Sequence, residues 1–277
     1  MNVNEAINYA KNKNLDTIEA LLTLELILKT RKELIIANIR KNLTKREKKL
    51  FFDKIDKIGK GTPIHYILQK KEFMGIEFSL NKHVLIPRFD TECLAEEALI
   101  QIKQNGFKKI LDLCCGSGCI GLSIAYYMKQ KVILSDISAK ALQIAAINTK
   151  KLKLEKFVEI IQSNLLKCIN GRLDIIITNP PYLNKEELKI KKKIKKEPVK
   201  ALLGFGKDGL NISRKILNQA KAKLNPNGII IIELAPWQIK SLKDFAIKKG
   251  FSHLKTIYDL EKRARALVLG QKHDTSI

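Results

Sequence analysis

The chain reads Asp112-Leu113-Cys114-Cys115-Gly116-Ser117-Gly118-Cys119-Ile120-Gly121 at the point that decides its fold. A short apolar run at 109–113 leads into this stretch, and its glycines have the spacing of a nucleotide-binding turn. Glycine lacks the side chain that would hold a bound molecule away from the backbone. Ligands of open parallel sheets bind at the carboxyl ends of the strands. The stretch therefore predicts a turn between a buried strand and a helix, beside a bound nucleoside.

Short apolar runs alternate with amphipathic segments after this turn. The alternation indicates strands connected by helices, and therefore a doubly wound α/β sheet with parallel strands. The last two candidate strands stand too close together to enclose a crossover helix, which predicts that they pair antiparallel. The predicted strands are 109–113, 131–135, 158–161, 173–178, 228–234, 254–258 and 264–269.

Residues 4–58 precede this pattern and carry apolar side chains at helical spacing, as in Ile18 and Leu21. They predict a small helical domain. The segment 72–78 alternates apolar and polar residues around Gly75, which suggests a short hairpin. We expect three parts along the chain: a helical domain at 1–70, a hairpin linker at 71–87 and the sheet domain at 88–277.

The composition is that of an ordinary globular protein, with 45% hydrophobic and 29% charged residues. The formal net charge is +24, but lysine is spread along the whole chain, so we expect no dedicated nucleic-acid site. No segment is long and apolar enough to cross a bilayer, and the N-terminus lacks the pattern of a secretion signal. A cytoplasmic protein without membrane partners is expected.

Five cysteines in a chain without a secretion signal favour reduced thiols over a disulfide framework. Cys114, Cys115 and Cys119 stand close together and raise the question of a metal. Neighbouring side chains at 114 and 115 diverge, and no second cysteine pair or nearby histidine completes a tetrahedral shell. We expect no metal site.

The second predicted strand ends at Asp136, 20 residues after Gly116. An acidic side chain at this place can accept hydrogen bonds from ribose hydroxyls. Nicotinamide dinucleotides and S-adenosylmethionine both carry that ribose, so Asp136 indicates a nucleoside cofactor without choosing between them. Capping of the next helix is the other role for Asp136, although Ser138 is the better candidate for the cap.

The fourth predicted strand ends in Asn179-Pro180-Pro181-Tyr182. A plain turn would explain the prolines, but an amide substrate explains all four residues. The nitrogen of an amide is planar and a poor nucleophile, and it carries two hydrogens. The Asn179 side-chain oxygen and the Pro180 carbonyl could accept those hydrogens and fix the nitrogen for methyl transfer. Tyr182 could lie against the flat group, and the prolines stiffen the loop.

Three motifs stand in order along the chain: Ile86-Pro87-Arg88-Phe89-Asp90-Thr91-Glu92, Asn179-Pro180-Pro181-Tyr182, and Glu197-Pro198 continuing to Asp208-Gly209-Leu210. On these motifs the sequence resembles the release-factor glutamine methyltransferase family, and the similarity covers essentially its whole length. The resemblance implies a seven-stranded methyltransferase sheet after an N-terminal helical domain that helps to dock the substrate. It also implies S-adenosylmethionine as cofactor, S-adenosylhomocysteine as product, and a monomeric enzyme of translation termination.

The implied substrate is the glutamine of the Gly-Gly-Gln motif in class I peptide chain release factors. The resemblance places the catalytic roles on Asn179, Pro180 and Tyr182, and Pro181 joins them in binding the substrate. The cofactor contacts that it implies are Cys114, Cys115, Gly116, Ser117, Gly118, Asp136, Asn164, Leu165 and Asn179. Cys114 stands where the family usually has glycine, and Asn164 and Leu165 replace an acidic and an aromatic residue.

Other functions stay open at this point. A related enzyme could methylate a glutamine of a ribosomal protein, and enzymes that methylate the amine of adenine in DNA carry a similar Asn-Pro-Pro-Tyr loop. A nicotinamide-dependent dehydrogenase would explain the glycines and Asp136 but not the loop. A basic RNA-binding module would need neither Asn179 nor Tyr182.

Overall fold

The computed structural model describes residues 1–190, 194 and 196–271. These residues form two compact units, Met1–Lys70 and a larger unit that begins at Lys71. The predicted sheet domain extends to residue 277, of which 272–277 lie outside the described residues. No helix in the described part of the chain is long and apolar enough to span a membrane.

The N-terminal unit is helical, as predicted. Asn2, Asp16 and Thr44 begin three of its helices with capping boxes, in which the cap side chain and a glutamate three residues later bond each other's backbone amides. Phe51 and Ile55 lie at the centre of its apolar core. The helices are α1 (Val3–Asn12), α2 (Thr17–Leu28), α3 (Lys32–Ala37), α4 (Lys45–Gly59) and α5 (Ile64–Leu68).

The expected hairpin is formed by β1 (Lys70–Phe73) and β2 (Ile76–Ser79). Met74 and Gly75 connect the strands and both have positive φ, 52° and 70°, as the tight turns of hairpins require. Phe73 and Phe78 are buried in the core of the sheet unit.

A seven-stranded sheet forms the centre of the larger unit, in the order β5-β4-β3-β6-β7-β9-β8. Its strands are β3 (Ile110–Leu113), β4 (Val132–Asp136), β5 (Val158–Gln162), β6 (Leu173–Thr178), β7 (Leu224–Glu233), β8 (Phe251–Tyr258) and β9 (Ala264–Gln271). β3 to β7 run parallel, and β9 runs antiparallel to both β7 and β8. The α/β fold with an antiparallel last strand is therefore confirmed. β7 begins at Leu224, before the predicted 228, because the buried Leu224 already pairs with Leu173.

Helices cover both faces of this sheet. Leu94, Leu122 and Leu142 of three helices pack on one face, and Leu217 and Leu242 of two others pack on the opposite face. The helices are α6 (Glu92–Asn105), α7 (Cys119–Met128), α8 (Ala139–Lys151), α9 (Lys185–Ile190), α10 (Asn211–Lys223) and α11 (Ile239–Lys248). Burial on both faces leaves the carboxyl edge of the parallel strands as the place for a ligand.

Candidate active site

The glycine-rich turn lies between β3 and α7 at the carboxyl edge of the sheet. Cys114, Gly116 and Gly118 have left-handed backbone torsions, with φ of 60°, 56° and 80°. Glycine adopts this region without strain, whereas a residue with a side chain such as Cys114 does so at a cost. A Cβ added to Gly116 would meet no atom of the described residues within 4 Å. The turn therefore has open space beside it.

Asp136 ends β4 and faces this turn. Its Oδ2 accepts a hydrogen bond from the Gly116 amide at 3.0 Å, and its Oδ1 accepts one from the Ser138 amide at 2.8 Å. Burial raises the pKa of Asp136, and these backbone bonds oppose the rise. A pyrophosphate would find the Gly116 amide already occupied and a carboxylate beside it, whereas ribose hydroxyls could donate to the remaining lone pairs. Ser138 caps α8, as expected.

The other predicted cofactor residues adjoin this pair. The Cys115 amide donates to the Ser135 carbonyl at 3.0 Å, which fastens the turn to β4. The Ser163 amide donates to the Asp136 carbonyl at 3.0 Å and brings the following residues, Asn164 and Leu165, to the end of β4. Asn164 is exposed, while Leu165 is half-buried against the apolar core under α10 and α11. Ser117 is buried within the turn.

A buried carboxylate that sequence reasoning missed lies beneath the turn. Asp112 Oδ2 accepts a hydrogen bond from the Gly121 amide at 2.8 Å, and its Oδ1 has no partner among the described residues. Burial raises the pKa of Asp112 to about 7, and the nearby charge of Asp136 adds to this. The signal was a charged residue inside an otherwise apolar strand, which is rare unless it has a task.

The cysteine cluster carries no sign of a metal centre. Within residues 1–190, 194 and 196–271, no three His, Cys, Asp or Glu side chains could hold a metal ion together. Burial raises the pKa of Cys119 to about 12 and also raises the pKa values of Cys114 and Cys115. These thiols stay protonated and act as small apolar side chains.

Asn179 follows β6 directly and lies half-buried at the same edge of the sheet. Its Nδ2 donates to the Thr91 hydroxyl oxygen at 3.3 Å. The carboxamide oxygen makes no hydrogen bond within the described part of the chain, so it remains an acceptor for a ligand. β6 is fixed next to β3 by pairing of Thr178 with Leu113, which places Asn179 beside the glycine-rich turn.

Tyr182 and Glu233 meet across the loop that follows β6. The Tyr182 hydroxyl donates to Glu233 Oε1 over a long 3.5 Å. Glu233 is 3% exposed, and its Oε2 has no partner among the residues described. Burial raises the pKa of Glu233 to about 7. Burial, followed by the charge of Glu233, also raises the pKa of Tyr182.

Comparison with known proteins identifies the family. A release factor glutamine methyltransferase of Borreliella burgdorferi is 88% identical over 277 residues, which cover 100% of this chain and 97% of that protein. The chain belongs to the release factor glutamine methyltransferase family. A second member, from Clostridium acetobutylicum, is 38% identical over 253 residues, 89% of this chain and 88% of that protein. The family model "Methyltransferase small domain" matches residues 91–207.

Solved structures confirm the methyltransferase fold. A ribosomal protein L11 methylase from Lactobacillus delbrueckii subsp. bulgaricus superposes with a TM-score of 0.52 at 18% identity, over 70% of this chain and 84% of that one. A methyltransferase from Pyrococcus furiosus superposes with a TM-score of 0.52 at 20% identity, over 78% of this chain and 96% of that one. The 88% identical relative makes the chain a methyltransferase, which excludes the dehydrogenase interpretation.

In this member of the release factor glutamine methyltransferase family, close backbone contacts hold the Asn-Pro-Pro-Tyr loop. A Cβ on Gly204 would lie 2.6 Å from the Pro181 carbonyl oxygen, and a Cβ on Gly209 would lie 2.1 Å from that of Tyr182. Gly209 also has a φ of 73°. Gln238 Nε2 donates to the Tyr182 carbonyl at 2.7 Å. Only glycine fits at 204 and 209, which explains the Asp208-Gly209-Leu210 motif physically.

The three family motifs converge in space. The Ile86 amide donates to Glu197 Oε2 at 3.1 Å, and the Arg88 guanidinium forms an ion pair with the same buried carboxylate. Thr91, from the first motif, accepts the hydrogen bond from Asn179 in the second. Sequence reasoning identified the motifs but did not pair their residues, since chain order carries no signal for contacts between positions so far apart.

Proposed function

We propose that the chain transfers a methyl group from S-adenosylmethionine to the side-chain amide nitrogen of the glutamine in the Gly-Gly-Gln motif of class I release factors. The names of its 88% and 38% identical relatives support this substrate. The observation that carries the proposal is the bond from Asn179 Nδ2 to Thr91, which leaves the Asn179 oxygen to accept from a substrate.

The substrate nitrogen would be held by two acceptors. Asn179 Oδ1 would accept one amide hydrogen and the Pro180 carbonyl oxygen the other, as an N–H donor pair requires. This geometry keeps the nitrogen lone pair directed at the incoming methyl group and favours its localisation, so positioning supplies much of the rate enhancement. Pro181 stiffens the loop, and Tyr182 would cover the flat amide and exclude water.

The residues at the carboxyl edge fit S-adenosylmethionine. Residues 114–118 leave open space at Gly116, and Asp136 offers lone pairs to the ribose hydroxyls. Asn164 and Leu165 would hold the adenine, and Asn179 would also touch the cofactor. The buried carboxyls of Asp112 and Glu233, each with an oxygen that lacks a partner among the described residues, suit a cationic ligand.

When bound, S-adenosylmethionine would supply a methyl group carried on a cationic sulfur, with neutral S-adenosylhomocysteine as the other product. Asn179 and Pro180 hold the nitrogen as it becomes cationic, and their two oxygens stabilise that charge. The proton that the nitrogen gives up passes to water, so no side chain is needed as a general base.

We propose that the N-terminal unit contributes to docking the release factor. It presents exposed apolar side chains at Ile18, Leu34 and Ile36, which are 62%, 55% and 51% exposed. Contiguous exposed apolar surface marks protein interaction sites, so these side chains are the ones to test for contact with the release factor. The predicted division at 70 and 71 is compatible with a separate docking part.

Incubation of the enzyme with labelled S-adenosylmethionine and a purified release factor tests the function. Mass spectrometry should find one methyl group on the motif glutamine, and a release factor with glutamate at that position should remain unlabelled. A ribosomal protein and adenine-containing DNA serve as competing substrates in the same assay. Label in DNA alone, or on another residue of the release factor, would contradict the proposal.

A further inference from the structure

One buried side chain connects the hairpin to the glycine-rich turn. Asn148 lies on α8 and is 0% exposed. Its Oδ1 accepts a hydrogen bond from the Ser79 amide at 2.7 Å. Its Nδ2 donates to the Ser79 carbonyl oxygen at 3.1 Å and to the Ser117 carbonyl oxygen at 3.0 Å. Ser79 is the last residue of β2 and Ser117 lies in the turn, so one carboxamide joins three segments that are far apart in the chain.

The three bonds allow one orientation of the Asn148 carboxamide. Its NH₂ group carries two hydrogens, and each of them has a carbonyl oxygen as acceptor. Its oxygen faces the backbone N–H of Ser79, which can only donate. A flipped carboxamide would place two donors together at the Ser79 amide and two acceptors together at the Ser117 carbonyl. Ser79 thus determines that the NH₂ group of Asn148 faces the turn.

The bond to Ser117 restrains a part of the turn that could otherwise change shape. Gly116 and Gly118 flank Ser117 with φ of 56° and 80°, and glycine adopts left-handed and right-handed backbone conformations with similar ease. The peptide unit between Ser117 and Gly118 is held at both ends. Asn148 donates to its carbonyl oxygen, and its N–H donates to the Cys115 carbonyl oxygen at 2.8 Å. This peptide unit therefore cannot rotate without breaking two hydrogen bonds.

We propose that Asn148 is a positioning residue that holds the glycine-rich turn in the shape that binds S-adenosylmethionine, and that the hairpin fixes its direction through Ser79. The inference rests on the proposed function, which assigns the turn to the cofactor. Asn148 complements Asp136, which holds the Gly116 amide from the end of β4. With both partners in place, the turn has its shape before the cofactor arrives, and binding does not have to order it.

The expected effect is on cofactor affinity rather than on the chemical step. An apparent dissociation constant rises as the fraction of protein in the binding-competent shape falls. Loss of Asn148 that leaves the turn competent in about a tenth of the molecules would raise the dissociation constant of S-adenosylhomocysteine about 10-fold. Saturating S-adenosylmethionine selects the competent shape, so kcat should stay within about 2-fold of the wild type.

Asn148→Ala and Asn148→Asp test the proposal in the full chain. Alanine removes all three bonds. Aspartate keeps the shape and the acceptor for the Ser79 amide, but it has no NH₂ group to donate to both carbonyl oxygens. Calorimetric titration with S-adenosylhomocysteine should give a dissociation constant about 10-fold above that of the wild type for both variants. Methylation of the release factor should show a raised KM for S-adenosylmethionine and a nearly unchanged kcat.

Two control variants change the same helix without touching the turn. Thr149→Ala removes the neighbouring hydroxyl, which is on a residue 5% exposed and donates to the Ala145 carbonyl oxygen of its own helix at 2.8 Å. Lys151→Ala removes another side chain of α8 that bonds the hairpin, at 2.9 Å from Glu77. Both controls should bind S-adenosylhomocysteine with wild-type affinity. Thermal unfolding of all four variants separates a loss of stability from a loss of turn shape.

Wild-type affinity for S-adenosylhomocysteine in both Asn148 variants would overturn the positioning role alone, whatever their stability. An equal loss of affinity in Thr149→Ala, or a fall in kcat without a rise in the KM for S-adenosylmethionine, would also overturn it. Failure of the wild-type enzyme to bind S-adenosylhomocysteine would overturn the proposed cofactor site, and the role of Asn148 with it. The titration needs no release factor, so its result does not depend on which substrate accepts the methyl group.

Discussion

The two edges of the central sheet differ in the kind of charge that they carry. The carboxyl edge gathers the carboxyls of Asp112, Asp136 and Glu233 around the glycine-rich turn and the substrate loop. The amino edge has a cavity of about 440 Å³. Its lining includes the cationic side chains of Lys108, Lys109, Lys131, Lys156 and Arg172.

The charged side chains of the two edges differ more in their burial than in the sign of their charge. Asp112 and Glu233 are almost fully buried and each keeps an oxygen without a partner among the described residues, which costs free energy of folding. The cations of the amino edge are exposed and cost little to maintain. A cost that folding does not need points to function, so we propose the site at the acidic edge and not at the cavity of the basic edge.

The largest difference between the two edges is expected in kcat, when one asparagine at each edge is replaced by alanine. Asn179→Ala should reduce kcat by about 10²- to 10³-fold, because an acceptor that fixes the substrate nitrogen is lost. Its affinity for S-adenosylhomocysteine should change little. Asn170→Ala, which removes the same side chain beside the amino-edge cavity, should turn over normally. Equal kcat values for both variants, measured with saturating release factor, would contradict the proposed contact between Asn179 and the substrate nitrogen.

A matched pair of glycines tests the substrate loop. Gly209 and Gly171 both have a φ of 73°, but only the Cβ of an alanine at 209 would meet the Tyr182 carbonyl oxygen, at 2.1 Å. Gly171→Ala should cost about 1 kcal/mol of unfolding free energy through backbone strain. Gly209→Ala should cost about 3 kcal/mol or more and should also lower activity. Denaturant unfolding compares them, and similar losses would show that the contact does not constrain the loop.

Cofactor affinity should depend on Asp136. Asp136→Ala should weaken S-adenosylhomocysteine binding by about 10- to 100-fold, because ribose acceptors are lost and the Gly116 amide loses its partner. Ser138→Ala is the control, since it removes only the cap of α8 and should leave affinity unchanged. Calorimetric titration measures both. A larger effect at Ser138 than at Asp136 would contradict the assignment.

The buried carboxylate of Glu233 should make stability depend on pH. Its pKa is about 7 in the fold against an ordinary 4.5, so protonation favours folding and this benefit is lost as the pH rises from about 4.5 to about 7. Between about pH 5 and pH 8 the wild-type apoenzyme should lose on the order of 1–3 kcal/mol more unfolding free energy than Glu233→Gln. Equal losses in thermal unfolding would mean that Glu233 is not held in a costly ionised state.

The smallest effect is expected from the basic edge. Lys131→Glu combined with Lys156→Glu reverses two exposed charges beside the cavity. Unfolding free energy should stay within about 0.5 kcal/mol of the wild type, and release factor methylation should keep its rate. A marked loss of methylation in the kinetic assay would contradict the assignment of the site to the carboxyl edge.

The sequence predicted those features that depend on local pattern. The apolar runs predicted every strand of the large sheet, and the Asn-Pro-Pro-Tyr loop after β6 was located from four letters. Local sequence pattern does not predict contacts between residues that are far apart in the chain. Thr91 and Asn179 meet only because α6 and β6 pack together, and Glu233 reaches Tyr182 only because β7 lies next to β6. Asp112 was visible as a charge in an apolar strand, but its unpartnered oxygen was not.

A crystal structure of the enzyme with S-adenosylhomocysteine and a Gly-Gly-Gln peptide would test the central claim most directly. We predict that the peptide glutamine nitrogen lies within hydrogen-bond distance of both the Asn179 side chain and the Pro180 carbonyl oxygen and faces a sulfur beside Gly116. Glutamine bound at the amino-edge cavity, or a nitrogen turned away from Asn179, would contradict it.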